Sequence, residues 1–227
     1  MYHLVYPGVS TYFYLNVKQQ WFHGFSPEFI YRVSFVHNLC LQIFSLITFS
    51  TLLGGLLKYG IVGEHQYYLA DGNIKNAVFW FYLSKYYEYM DTFIIYAKQR
   101  DTITLQKFHH AGAAVVWHLG YMYNFDGVFF ASLLNSGVHS IMYLYYLLSL
   151  LRTIDVRPLK IYITSLQVGQ LVYGAWALPY YYYSIETTAN KYVIIIFDAY
   201  IAALIYLFCK FMYRTYFVNT DVNKSSQ

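Results

Sequence analysis

The sequence predicts an all-α fold, a polytopic bundle of helices that crosses a membrane. Three observations predict this class. Of the 227 residues, 58% are hydrophobic and only 11% are charged, whereas about a quarter of the residues in a soluble domain are charged. Six stretches are long and apolar enough for a span, which needs about 20 mostly apolar residues. Lysine and arginine also concentrate in alternate loops, as they do in multi-pass membrane proteins.

The spans are placed where apolar residues continue for most of the required length. They cover residues 35–57, 76–97, 108–123, 128–150, 160–182 and 192–217. The third is short and polar, so its ends are the least well defined. Before the first span, residues 1–30 contain one semi-apolar piece, YPGVSTYFYLNV, which is too interrupted to cross a bilayer. We therefore predict an interfacial or cytoplasmic segment there, or the stub of a further helix. Residues 31–218 then form one transmembrane domain, and 219–227 form a cytoplasmic tail.

The orientation follows from the basic residues. If the N-terminal side of the first span is cytoplasmic, the loops on the opposite side contain only Lys58, Lys75 and Lys191, and Lys85 lies inside a span. All other lysines and arginines then face the cytoplasm, as the positive-inside rule requires. The C-terminus is predicted to be cytoplasmic. The net charge of +4 is modest and gives no reason to expect a nucleic-acid partner.

Charged groups inside the second span are the first candidates for chemistry, because such groups are costly in a bilayer. In KYYEYMDT, Lys85, Glu88 and Asp91 recur at every third position, so they line one broad helix face, and Thr92 returns to it. A Lys–Glu pair that only stabilises helix packing is the simpler alternative. Two carboxylates and one amine in a short stretch exceed what such a pair needs.

The second polar cluster is QKFHH, at the start of the third span. Gln106, His109 and His110 fall within an arc of about 100° on a helix, so they can face one cavity. Lys107 then points to the cytoplasmic boundary. Imidazole can be a nucleophile, a base or a metal ligand, and two neighbouring histidines can also be a packed polar pair. The residues alone leave these roles open.

A third cluster, NSGVHSIMYLYY, forms a polar and aromatic stripe on one helix face. The stripe consists of Asn135, His139, Met142, Tyr143 and Tyr146. Bundle packing explains each tyrosine equally well, but His139 is buried by its position and shares its face with Asn135.

The fourth cluster is TSLQVGQ, in which Thr164, Gln167 and Gln170 recur at every third position. Hydrogen bonding between helices is the simpler explanation of that spacing. The remaining histidines give weaker signals: His118 is interpreted as a satisfied core residue. No chemistry is assigned to the histidines near predicted span ends, which are His3, His23, His37 and His65.

Together, the four clusters resemble the motifs of the ELO family of fatty acid elongases, the membrane 3-ketoacyl-CoA synthases. KYYEYMDT matches K-x-x-E-x-x-D-T, and TSLQVGQ matches T-x-x-Q-x-x-Q. NSGVHSIMYLYY matches N-x-x-x-H-x-x-M-Y-x-Y-Y in full, including Tyr145. His109 and His110 match the last two positions of H-x-x-H-H. The resemblance covers about residues 30–217.

Two features depart from the family pattern. Gln106 replaces the first histidine of the box, and the string LQKFHHAGA resembles elongases that act on polyunsaturated acyl chains. The family is also similar to a seven-helix bundle with a lumenal N-terminus. Because the sequence shows six clear spans, the resemblance implies that the first helix is weak or missing.

The resemblance implies a very-long-chain 3-oxoacyl-CoA synthase, an acyltransferase that condenses long-chain acyl-CoA with malonyl-CoA and releases CO2. Cys40 and Cys209 lie in bland apolar surroundings, so a histidine is expected to form any covalent intermediate. The implied catalytic residues are His109 as nucleophile, His139 as its partner or a second acyl site, His110 as an orienting acid or base, Asn135 and Gln106 as hydrogen-bond donors, and Lys85, Glu88 and Asp91 as groups that fix histidine protonation.

Two further sets of residues are expected to bind substrate. The acyl chain is assigned to Thr92, Met142, Tyr143, Tyr145, Tyr146, Thr164, Gln167 and Gln170. The phosphates of CoA are assigned to Lys98, Arg100, Lys107, Arg152, Arg157 and Lys160. The positive-inside rule accounts for the same cations without any ligand.

We expect no metal and no tightly bound cofactor, with acyl-CoA and malonyl-CoA as substrates. The expected partners are the lipid bilayer, a second copy in a homodimer, and the ketoacyl reductase, dehydratase and enoyl reductase of the elongation cycle, in the endoplasmic reticulum membrane. One alternative is a membrane desaturase or hydroxylase, but the eight histidines include no H-x-x-x-H pair. A lipid-binding or transport bundle that uses its histidines as a proton relay is the other.

Overall fold

The computed structural model describes residues 5–60, 68–184 and 186–218. They are all-α, as predicted, and contain no strand. The helices are α1 (Val5–Asn16), α2 (Pro27–Tyr59), α3 (Gly72–Tyr87), α4 (Tyr89–Ala97), α5 (Thr104–Met122), α6 (Gly127–Leu151), α7 (Leu159–Tyr182) and α8 (Thr188–Met212). A short 3₁₀ turn spans Gln19–Phe22, and α8 continues as a π-helical segment over Tyr213–Val218.

Helices occupy all six predicted stretches, but fewer of them have the character of membrane spans. By length and apolar composition, three described helices can cross a bilayer: α2, α6 and α8 with its π-helical continuation. The predicted count of six spans is therefore not confirmed. The second stretch consists of two helices of 16 and 9 residues that meet at Glu88. α5 and α7 are long enough to cross a bilayer, but their histidine, glutamine and tyrosine side chains make them less apolar than a membrane span.

The start of α2 shows how local sequence sets a helix boundary. The Ser26 hydroxyl accepts the backbone N–H of Phe29 at 3.2 Å, and Pro27 occupies the first helical position. Both are strong helix-start signals. The helix begins at residue 27 instead of the predicted 35, so His37 lies in the third turn and not at the end of a span.

Six of the helices pack as a closed ring. α2 contacts α6, and the contacts continue through α7, α8, α5 and α3 back to α2. α1 packs against α5 from outside this ring. The N-terminal stretch thus contributes a helix at Val5–Asn16, next to the helix that carries the two adjacent histidines.

The interior of the ring has an apolar half and a polar half. Large apolar side chains that are at most 1% exposed fill the half near the α5–α6 turn; they include Leu52, Phe81, Phe125, Phe129 and Phe197. The buried charged and histidine side chains from α2 to α6 gather mainly in the other half, towards the α4–α5 and α6–α7 loops, with His118 and Asp126 as exceptions. The six cations assigned above to CoA lie in or next to these two loops, and we call this side of the bundle the basic end.

Candidate active site

A buried ion pair lies at the centre of the polar half. Lys85 and Glu88 are each 1% exposed, and Lys85 Nζ donates to Glu88 Oε1 at 2.9 Å. The same ammonium group donates to Asn135 Oδ1 at 2.8 Å and stands 3.9 Å from the centre of the Phe81 ring. Because removing two charges from water costs several kcal/mol per ion, the pair needs these extra contacts. Asn135 Oδ1 is thereby oriented towards Lys85, which leaves the amide NH2 as a donor.

Two histidines face the Glu88 carboxylate from different helices. His110 Nδ1 is 4.0 Å from Oε2, and His139 Nδ1 is 3.8 Å from Oε1. These separations are too long for hydrogen bonds, and the contacts are ion pairs only when the imidazoles are protonated. Within the described residues, Glu88 Oε2 and both Nδ1 atoms are buried and have no hydrogen-bond partner. Buried polar atoms normally have partners, so the arrangement leaves room for bound water or substrate.

Asp91 joins a second group of side chains to this network. Its Oδ1 is 2.9 Å from His37 Nε2, and its Oδ2 accepts from the Tyr143 hydroxyl at 2.9 Å. His110 Nε2 lies 3.8 Å from Oδ2. His37 is only 2% exposed and belongs to the network, although no chemical role was predicted for it.

Gln106 determines how His110 can be protonated. The Gln106 amide nitrogen is 2.8 Å from His110 Nε2, and an amide NH2 can only donate. His110 Nε2 is therefore an acceptor, and the neutral ring carries its proton on Nδ1, the atom that faces Glu88. The residue that replaces the first histidine of the box thus fixes the tautomer of the third.

His109 lies at the polar end of a cavity between α5, α6, α7 and α8. The cavity and its opening to solvent together contain about 480 Å³ not filled by atoms, and the polar lining consists of His109, Asn135, Gln170 and Tyr200. The rest of the lining is apolar and includes Leu178 and Phe197. The His109 ring centre is 5.1 Å from that of His110 and 6.4 Å from that of His139. A mostly apolar cavity with a few polar groups at one end suits an amphipathic ligand.

The residues assigned to the acyl chain lie in different places. Gln170 lines the cavity. Thr92 is 1% exposed and contacts the Tyr14 hydroxyl of α1 at 2.7 Å, while Tyr143 is occupied by its bond to Asp91. These two contacts join α1 and α6 to the acidic helix face.

The other residues of that set form contacts between helices near the basic end. Gln167 Nε2 donates to Met142 Sδ at 3.2 Å, which joins α7 to α6. The Thr164 hydroxyl donates to a carbonyl within α7 and is 3.1 Å from the Tyr216 hydroxyl. Tyr145 is partly buried, and Tyr146 is 38% exposed.

The basic end is exposed and only partly paired. Arg157 forms a two-point ion pair with Asp155, with both N–O distances at 2.9 Å. Lys107 and Lys160 lie over aromatic rings, at 5.7 Å from Tyr96 and 5.8 Å from Phe211. The exposed members of the set are Lys98, Arg100, Arg152, Arg157 and Lys160.

Known proteins resemble this chain over most of its length. The model of the ELO: GNS1/SUR4 family matches residues 2–224. The chain belongs to the ELO family. It is 31% identical to the fatty acid elongase sre1 of Dictyostelium discoideum, over 82% of this chain and 73% of the relative. It is also 30% identical to the very long chain fatty acid elongase 4 of Mus musculus, over 92% of this chain and 70% of the relative. The ELO relatives are fatty acid elongases, and the apolar helices described above agree with a membrane protein.

The structure brings the charged and histidine residues of the ELO motifs together and adds others to them, whereas Met142, Thr164 and Gln167 form helix contacts near the basic end. His37, Tyr14 and Tyr200 are the side chains that sequence reasoning missed. The helix-start signal at Ser26 and Pro27 places His37 inside a helix, so it could have been found. Tyr14 and Tyr200 are two of 29 tyrosines, and no local pattern distinguishes them.

Proposed function

We propose that this ELO protein condenses a long-chain acyl-CoA with malonyl-CoA and produces a 3-ketoacyl-CoA through an acyl-histidine intermediate. The observation that supports this reaction best is the position of His109. Its ring lines a mostly apolar cavity together with the Tyr200 hydroxyl, 3.2 Å away, and with Asn135, which accepts from the buried Lys85. A fatty acyl chain in the apolar part would place its thioester beside the imidazole.

The first half-reaction is acyl transfer to His109. A ring nitrogen attacks the thioester carbonyl carbon, the C–S bond breaks, and CoA leaves as a thiolate that takes up a proton. Negative charge develops on the carbonyl oxygen during the attack. The Asn135 NH2 lines the same cavity and is free to donate, because its oxygen accepts from Lys85, and we assign it to that oxygen.

The second half-reaction forms the carbon–carbon bond. Malonyl-CoA loses CO2, and the resulting enolate carbon attacks the acyl carbon on the histidine. The C–N bond then breaks, and its electron pair returns to the imidazole. His139 and His110 lie within reach of the same Glu88 carboxylate and would bind and orient the malonyl group in its enolate form. Both histidines are more buried than His109, so the acyl group is assigned to His109 first.

We further propose that polyunsaturated acyl chains are among the substrates. This proposal rests on Gln106, which replaces a histidine of the ELO box and binds His110 directly. The cations at the basic end would hold the CoA phosphates, with Arg157 exchanging its Asp155 partner for phosphate. The proposed location is the endoplasmic reticulum membrane, with the C-terminus in the cytoplasm. A homodimer and the other enzymes of the elongation cycle are the proposed protein partners.

The test uses purified protein in detergent micelles with acyl-CoA and radiolabelled malonyl-CoA. We expect a labelled 3-ketoacyl product without added metal, and with acyl-CoA alone a single acyl adduct in the intact mass. His109→Ala should remove both. His23→Ala is the matched control, because His23 is exposed outside the bundle interior, and it should keep both. Loss of activity on chelation, or an adduct that persists in His109→Ala, would contradict the proposal.

A further inference from the structure

Tyr200 reaches from α8 to His109 on α5 and contacts it twice. The Tyr200 hydroxyl donates to the His109 backbone carbonyl at 2.8 Å and lies 3.2 Å from His109 Nδ1. Tyr200 is 8% exposed and lines the same cavity as His109. One phenol group thus meets the backbone and the ring of the residue to which we assign the acyl group.

The hydroxyl has a single proton to share between these two contacts. The carbonyl oxygen can only accept, and its distance to the phenol is the shorter of the two, so the phenol proton lies on that bond. The phenol oxygen then faces Nδ1 with a lone pair. Such a contact is favourable only if Nδ1 carries the imidazole proton, and this leaves Nε2 with the free lone pair.

Residues of α5 determine the position of the Tyr200 ring. A Cβ atom added at Gly112, one turn after His109, would overlap the Tyr200 ring, so this approach requires glycine. Phe108 stacks on the same ring with centroids 5.7 Å apart. Neighbours on both sides of His109 therefore hold the phenol against it.

We propose that Tyr200 is a positioning residue that holds His109 as the Nδ1–H tautomer, so that Nε2 is the atom that attacks the thioester. This inference rests on the proposed function and specifies its reactive atom. A hydrogen bond to one ring nitrogen of a histidine decides which nitrogen carries the proton and which one can react.

The assignment gives a balanced acyl transfer. The Nε2 lone pair forms the C–N bond, the thiolate leaves with the C–S electron pair, and the ring becomes an acyl-imidazolium whose Nδ1–H still donates to Tyr200. No proton has to leave the ring during acylation. When the enolate carbon takes the acyl group, the C–N electron pair returns to Nε2 and restores the neutral Nδ1–H tautomer.

The test compares Tyr200→Phe, which keeps the ring between Phe108 and Gly112, with Tyr206→Phe. Tyr206 lies on the same helix and is 65% exposed, so its variant should behave as wild type. We expect Tyr200→Phe to slow acyl-adduct formation, followed by intact mass in single-turnover experiments, by about 10- to 100-fold, the range for one hydrogen bond to a group that becomes charged. Nitrogen-15 NMR of histidine-labelled protein without substrate should show the Nδ1–H tautomer of His109 in wild type and a mixture in Tyr200→Phe.

The outcomes separate this inference from the proposed function. An adduct that forms in Tyr200→Phe within about twofold of the wild-type rate overturns the role of Tyr200 and leaves the acyl-transfer function intact. An Nε2–H tautomer of His109 in wild type also overturns it. If wild type shows the Nδ1–H tautomer but forms no adduct with acyl-CoA, the tautomer assignment stands and the proposed function fails.

Discussion

Asp126, at the end of the bundle opposite the basic end, should make the stability of this protein depend on pH. It precedes α6, is 6% exposed, and its Oδ1 accepts the backbone N–H of Leu69 at 3.0 Å. Its Oδ2 is buried and has no hydrogen-bond partner among the described residues. Burial raises the pKa of Asp126 from 3.8 to about 7, and the nearby charge of Glu186 adds to the rise.

The direction and the size of this pH dependence follow from the linkage between protonation and folding. Between the unfolded and folded pKa values the folded state binds the extra proton, so stability falls as pH rises through this window and levels off above the folded pKa. From about pH 5.5 to the folded pKa of about 7, the loss is about 2 kcal/mol, at 1.36 kcal/mol per unit. For a chain of this size that corresponds to a fall in melting temperature of about 4–8 °C.

The assay is thermal unfolding in detergent micelles at pH 5.5 and pH 8.5. Asp126→Asn keeps the acceptor for Leu69 but cannot ionise, so it should melt higher than wild type at pH 8.5 and show a smaller pH dependence. Asp155→Asn is the control, because Asp155 lies in an exposed turn and its variant should retain the wild-type difference. Equal pH dependence in wild type and Asp126→Asn would refute the reasoning.

Three further predictions concern the cavity and the buried network. Gly174 lines the cavity, and a Cβ atom added there would have its nearest neighbour at 3.9 Å, so a larger side chain would extend into the cavity. Gly174→Leu should therefore reduce the chain length of the longest acyl product in a product profile. Gly169→Leu, on the exposed face of the same helix, should leave that chain length unchanged. His37→Leu removes a hydrogen bond to the Asp91 carboxylate and should slow condensation about 10- to 100-fold. His37→Gln keeps a donor and should recover much of that rate. Equal condensation rates in the two variants would contradict the role of this hydrogen bond. Gln106→His should keep activity within about tenfold but change the preference between saturated and polyunsaturated acyl-CoA, and complete loss would show that the amide is indispensable.

The sequence predicts the helices of this fold well because apolar runs and loop charges are local features. It places the start of α2 eight residues late, since the first turns of that helix contain Glu28 and Arg32, which interrupt an apolar window. The capping signals at Ser26 and Pro27 outweigh that polarity. One boundary error was enough to hide the role of His37.

Contacts across the ring are harder to predict than the motifs. The spacing of Lys85, Glu88 and Asp91 correctly indicates one polar helix face, but not that Glu88 separates two helices. Tyr200 lies in an apolar stretch of α8, and its contact with His109 depends on the close approach of α8 to α5 at Gly112. Such approaches are set by tertiary packing, which a single sequence does not display.

The two adjacent histidines have different hydrogen-bond partners, which explains how they can have different roles in the reaction. Both carry the proton on Nδ1, but the proton of His110 faces Glu88 because Gln106 donates to its Nε2, whereas that of His109 faces Tyr200. His110 is thereby tied into the charged network, and the Nε2 of His109 keeps its lone pair for substrate. A histidine at position 106 would need a fixed tautomer of its own to donate in the same way. The glutamine amide always has a donor, so it orients His110 without that requirement.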